Sequence, residues 1–290
     1  SIPVGKTVKF GSSFVQEADN GTITLKQAGA TTSAPATSLT LTSDLIEDAN
    51  TATQSQIHDL HADVVSSVNL DLASSDTDVV KVLIDAADFA KASSVTVTSG
   101  EKVTVTAITA KDDATLDFTG VTGETSIGPS TGNGYTVKGS ATAKTSFVMG
   151  TGLEKDDVIV GGSATDDTLT ATINGLASSS TSTTGNLNIS GVELIELALD
   201  TNNSTIDATN ITGGSSTTLA FSGSINATLN NVLAGTKIQY GTSGTASFTG
   251  DVTYTLKDST GSSDAVELTL VNRGTDDHVD GKFIATGVET

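Results

Sequence analysis

Two pairs of carboxylates, Asp156 with Asp157 and Asp166 with Asp167, flank a Gly161-Gly162 turn, and each pair is followed by a short alternating run, Val158 to Val160 and Thr168 to Ile173. Residues of these types in this order point to a hard cation. Ca2+ takes several oxygen ligands from carboxylates and backbone carbonyls, and glycine lets a turn bend closely enough to aim those carbonyls inward. Asp258 and Asp264 bracket Gly261 in the same manner within DSTGSSD. The candidate metal ligands are therefore Asp156, Asp157, Asp166, Asp167, Asp258 and Asp264, with Ca2+ as the cofactor. The competing reading is that these are acidic turns on a solvated surface, because Asp is a turn former in its own right.

The other chemistry-bearing groups lead less far. His58 and His61, with Asp59 and Asp63, would share one helix with the geometry of a transition-metal pair, yet two imidazoles without a third ligand read as a polar face. Asp276, His278 and Asp280 would share one face of a strand beside Arg273, and we read them as exposed. There is no Cys, so thiol and disulfide chemistry are excluded. No Ser or Thr stands out as a nucleophile, and no acidic cluster is matched by enough basic residues for polysaccharide cleavage. The chain is read as having no catalytic residues and as not being an enzyme.

The elements that carry these groups follow from patterning. Across 290 residues, 36% are hydrophobic, only 4% are aromatic and Trp is absent, so the core must come mainly from Val, Ile, Leu, Ala and Thr. Such residues suit stacked strands. The 34 Asp and Glu outnumber 14 Lys and Arg, for a net charge of −20, which argues against nucleic acid and favours cations. No apolar run is long enough to insert into a membrane.

Short strand signals run over Thr7 to Phe10, Gly21 to Leu25 and Ser38 to Leu41. Ile57, Leu60 and Val64 then fall at i, i+3 and i+7, which predicts one short helix over Ala52 to Val65. From Val64 onward the period becomes two: Val68, Leu70, Leu72; Val80, Val82, Ile84; Val95, Val97; Val103, Val105; Leu116, Phe118. Two segments share the pattern T-h-D-x-T-x-h-T-G, with h apolar: Thr115 to Gly123 and Thr205 to Gly213. A repeated unit that cannot bury its inward face alone stacks on its neighbours, with Thr, Ser and Asn forming ladders. The expected fold is all-β, an elongated parallel β-solenoid with one short helix; the alternative is a tandem of β-sandwich domains. Residues 1–63 form an N-terminal segment of strands and helix, and residues 64–290 the repetitive region. Gly287-Val288-Glu289 repeats the start of GVELIELAL, so the chain is expected to stop inside a structural unit.

Some of this vocabulary is specific. Gly162-Ser163-Ala164-Thr165-Asp166-Asp167-Thr168-Leu169 resembles the glycine- and aspartate-rich RTX calcium repeat, with Ser163 and Thr165 where that repeat has glycine. DDTLTATINGLA, the Ser/Thr tract after it, Gly191 to Leu197 and STIDATNITG resemble the repeat units of bacterial RTX-type S-layer proteins and related giant surface proteins. Lys257 to Asp264 followed by AVELTL continues the likeness, which covers roughly the last half of the chain. The resemblance implies a secreted structural protein of the bacterial cell surface that self-assembles into a calcium-dependent lattice with copies of itself. A second implied role is an adhesin or carbohydrate-binding module of a large surface protein, with cell-surface glycan or lipopolysaccharide as partner.

Overall fold

The structure is a computed structural model that describes residues 7–10, 23–24, 39–44, 54–62, 65–73, 81–128, 134–154, 156–173, 184–199, 204–213, 216–223, 226–241, 250–260, 264, 266–270, 282–286 and 288. Every regular element of more than a single turn among these residues is a β-strand, and the strand pairs are parallel. The fold is a parallel β-solenoid, in which the chain climbs by one strand spacing each time it completes a turn. It divides into two compact units, residues 1–148 with 161–164, and residues 149–160 with 165–290.

In the first unit one column of strands runs Thr7–Phe10, Leu39–Asp44, Ser67–Ala73, Ser94–Ser99, Thr115–Val121 and Thr136–Lys138. A second column contains Ile23–Thr24, Gln54–His61, Lys81–Phe89, Lys102–Val105, Thr125–Ile127 and Thr145–Gly150. Because strand side chains alternate, in-register stacking sends like positions to like environments. Val68, Val95, Leu116 and Val137 occupy one position of four successive turns, and all are fully buried. The outward positions between them form polar ladders: the Ser94 hydroxyl donates to that of Ser67 at 3.0 Å. Each buried Val or Leu contributes about 1.5–3 kcal/mol relative to exposure, so the columns supply most of the cohesion.

The second unit follows the same logic. One column stacks Thr168–Ile173, Leu194–Leu199, Thr218–Ser222, Lys237–Tyr240 and Glu267–Leu270; another stacks Thr184–Asn186, Ser204–Asp207, Ala227–Val232, Val252–Leu256 and Phe283–Thr286. Most of the described aromatics lie inside. Phe221, Tyr240 and Tyr254 are buried here, as Phe89, Phe118, Tyr135 and Phe147 are in the first unit.

The helix expected over Ala52 to Val65 is a strand instead. Gln54–His61 pairs in parallel with Lys81–Phe89 on one side and Ile23–Thr24 on the other. The i, i+3 spacing that suggested helical periodicity also occurs in strands of this fold, where the buried phase slips by one residue. Lys81–Phe89 has the same spacing: Val82 and Ile84 are buried, then Ala87 and Phe89, and Ile57 and Leu60 stand in register with Ile84 and Ala87. Phe118 and Val121, and Leu229 and Val232, repeat it beside register shifts. A strand with partners on both sides satisfies its backbone groups as fully as a helix would, and here it also buries Leu60 and Ala62.

Candidate functional site

The corners are built by aspartate. In the first copy of the repeated pattern the Asp117 carboxylate accepts the Thr119 N–H at 3.0 Å and the Thr119 hydroxyl at 2.6 Å. In the second copy Asp207 accepts the same two donors of Thr209 at 2.9 and 2.5 Å. This is a side chain substituting for backbone at a turn. A donor from the next turn completes each corner: Lys138 lies 3.2 Å from Asp117, and the Asn231 amide donates to Asp207 at 3.0 Å. Burial pushes the Asp117 carboxyl up, but the Thr119 donors and the Lys138 ammonium outweigh it and hold the group below the usual Asp range. Asp207 is held low in the same way, by Thr209 and Asn231 against burial.

The same arrangement recurs at one expected ligand. Asp258 accepts the Thr260 N–H at 3.0 Å and the Thr260 hydroxyl at 2.6 Å, so Asp258-Ser259-Thr260 is a third corner of the same design. The Thr260 hydroxyl, and then its N–H, hold the exposed Asp258 carboxyl below the ordinary value. The shared D-x-T spacing was the signal for this role.

Among the paired carboxylates, one member of each pair points inward and one outward. Asp157 is buried; its carboxylate accepts the Glu154 N–H at 2.8 Å while its own N–H donates to the Glu154 carbonyl at 3.2 Å, closing a reciprocal loop. Asp167 is fully buried, its N–H donates to the Glu193 carboxylate at 3.0 Å, and its carbonyl accepts the Glu193 and Leu194 N–H groups. Asp156 and Asp166 are exposed. Glu193, which had not been singled out, is the carboxylate that meets the second pair. Burial, helped by the negative charges of Asp167 and Asp166, pushes its carboxyl up despite the Asp167 N–H.

Gly162 serves close packing within the first unit: a Cβ there would lie 2.0 Å from the Ser140 carbonyl oxygen. The next residue, Ser163, donates its N–H and its hydroxyl to the Ala141 carbonyl, at 3.1 and 3.0 Å. Among the described residues no three His, Asp or Glu side chains are grouped to hold a metal ion.

Asp264 is different. It is 6% exposed, and one of its carboxylate oxygens is buried with no hydrogen-bond partner; the buried Tyr254 hydroxyl is in the same condition. Of the histidines, His61 lies 2.8 Å from Asp88, in register on the neighbouring strand. The side chain of His58 and all of Asp63, Arg273, Asp276, His278 and Asp280 lie outside the described residues.

A shallow groove of about 320 Å3 crosses three turns of the first unit, between Asp71, Thr98, Gly100, Gly120 and Thr122. Its lining is mainly apolar, with Leu72 among it, and its polar groups already bond one another: the Thr98 hydroxyl donates to Asp71 at 3.1 Å, and the Thr122 hydroxyl to the Gly100 carbonyl at 3.5 Å.

Fold and site together define an acidic parallel β-solenoid with aspartate-capped corners. No family model, curated protein or solved structure matches the chain.

Proposed function

We propose that this chain is a structural component of a bacterial surface layer, secreted and displayed on the cell exterior, which assembles with copies of itself in a calcium-dependent way. The observation that carries the reading is an open strand edge. Leu169, Ile195, Leu219 and Ile238 form one buried inward column, and Leu268 continues it at 38% exposure; Leu270 continues the column of Ala171, Leu197, Phe221 and Tyr240 at 55% exposure. Core-type positions open on a strand edge accept another β-rung, whether from a second copy or from further chain of the same protein, since both unpaired backbone groups and apolar surface are then satisfied. The exposed Asp156 and Asp166, on a chain of net charge −20, give a cation shared between copies somewhere to bind and a repulsion to relieve. The test is light scattering and electron microscopy in millimolar Ca2+ and in chelator, on the wild type and on a Leu268→Lys, Leu270→Lys variant. Ordered assemblies that need both Ca2+ and the two leucines support the reading; a wild type that stays monomeric in Ca2+ removes it.

The groove over Asp71 and Gly120 favours a second reading, a carbohydrate-binding module of a larger surface protein that takes cell-surface glycan or lipopolysaccharide. The apolar lining suits the C–H face of a sugar ring, and the Asp71 carboxylate with the Thr98 and Thr122 hydroxyls suits its hydroxyls. A glycan array separates the two, with binding that is lost in Asp71→Ala supporting this second role.

A further inference from the structure

In the second unit the column Ser204–Asp207, Ala227–Val232, Val252–Leu256 and Phe283–Thr286 turns Ile206, Leu229 and Tyr254 inward in register, and all three are buried. The alternate positions face outward. Thr205, Thr228 and Thr253 hold one such position on three successive turns, each part-exposed, and Ile284 holds it on the fourth at 48% exposure. Threonine is β-branched and stiff, so its methyls and hydroxyls form a rigid ladder that repeats at about 4.8 Å. Asp207 is the only charged residue in these four strands, and Thr209 and Asn231 engage its carboxylate within its own corner. On a chain with 34 Asp and Glu and a net charge of −20, a sheet face this poor in charge stands apart.

We propose that this threonine face is a lateral contact with the same face of a second copy. Electrostatics selects the occupant first. Two copies of so acidic a chain repel wherever charged surfaces meet, and depletion of charge marks the centre of interfaces between proteins. Periodicity selects it again, because a ladder matches its own spacing by construction. Two copies laid face to face interleave their side chains along the whole column, as paired sheets do at about 10 Å. Ile284 adds a large apolar group left half open at the end of the ladder, which a covering sheet buries. The face is small: four strands by four residues span about 200 Å2, against about 800 Å2 per partner in a stable complex. One contact is therefore weak, and many of them add in an array. Its role as a sideways contact rests on the assembly proposed above, whereas the contact itself needs no Ca2+.

The chain has no Cys, so single Cys variants report the contact directly. Thr228→Cys and Thr253→Cys, alone and mixed, are treated with a short bismaleimide in chelator at high protein concentration. The control is Thr96→Cys, at a part-exposed outward position of the first unit. The yield of cross-linked dimer should be severalfold higher at Thr228 and Thr253 than at Thr96. The double variant Thr228→Lys, Thr253→Lys should melt like wild type yet lose sideways growth in Ca2+ under the electron microscope, although each lysine lowers the net repulsion between copies. Equal yields at all three Cys positions overturn the proposal, and so does sideways growth that the lysines leave unchanged. Cross-linking without Ca2+-driven assembly keeps this contact and removes the lattice; assembly without the cross-link keeps the lattice and removes this contact. Binding to a glycan array or inhibition of ice growth that the lysines abolish, with no cross-linking, gives the face to a flat carbohydrate or to ice and overturns the second copy as its occupant.

Discussion

Ile238 is completely buried, whereas Leu268, its in-register neighbour one turn further on, is 38% exposed. The two residues have nearly the same apolar side chain at the same position of the strand, and only the presence of a covering turn separates them. Truncation should therefore have unequal effects. Ile238→Ala should cost about 2–5 kcal/mol in denaturant unfolding, through lost transfer energy and the cavity left behind. Leu268→Ala should stay within about 1 kcal/mol in the isolated chain and show its effect in self-association. Equal costs for the two variants would mean that the terminal strand is covered in solution.

The aspartate corners predict an acid limb of stability. Asp117 and Asp207 are held below the ordinary value of 3.8, so their folded carboxylates bind protons more weakly than the unfolded ones. Their contribution is fully present above that value and is lost as the pH falls through the folded pKa. Asp117→Ala should cost about 1–2 kcal/mol at neutral pH, since two donors of Thr119 lose their acceptor. The difference from wild type should close below about pH 3, as measured by unfolding midpoints across a pH series.

Glu193 carries the opposite sign. Its carboxyl is raised above 4.5, so the folded state binds that proton more tightly than the unfolded one; its favourable contribution is complete below 4.5 and disappears as the pH climbs through the folded value. Glu193→Gln keeps an oxygen for the Asp167 N–H while removing charge beside Asp166 and Asp167. The variant should melt higher than wild type at pH 7 and equally at pH 4. A variant that is less stable at both pH values would show that the charge itself is needed there.

Glycine positions separate packing from chain flexibility. Gly162→Ala places a methyl 2.0 Å from the Ser140 carbonyl oxygen and should destabilise by about 1–3 kcal/mol as the backbone moves away. At Gly100 a methyl meets nothing within 4 Å, and Gly100→Ala should be close to neutral in the same melt.

Calcium dependence, if it belongs to the exposed carboxylates, should follow Asp156 and Asp166 and not their buried neighbours. The Asp156→Asn, Asp166→Asn variant should keep its melting temperature in chelator and lose Ca2+-induced light scattering. Asp157→Asn and Asp167→Asn should instead lower the melting temperature with and without Ca2+, because those residues are buried parts of the turns. Scattering unchanged in the first variant would remove these residues from any calcium role.

Much of this architecture is written in local sequence. Alternation from Val68 through Phe118 determines strands with one buried face, because side chains on an extended backbone alternate sides whatever lies beside them. The recurrence of T-h-D-x-T-x-h-T-G marks two like corners, since an aspartate two residues before a threonine caps the turn with atoms that are all near in the chain. Other features depend on neighbours that are distant in sequence. The i, i+3 spacing of Ile57 and Leu60 fits one face of a helix or a strand whose buried phase slips by one residue, and the parallel partner Lys81–Phe89 decides for the strand. The pairs Asp156-Asp157 and Asp166-Asp167 read alike as outward ligands, but strand alternation turns one member of each inward, where Glu154 and Glu193 meet it. Nothing in the sequence marks the Tyr254 hydroxyl or an Asp264 oxygen as buried without a partner. Burial without a partner is a property of the packed interior, and only the stacking of whole turns creates it.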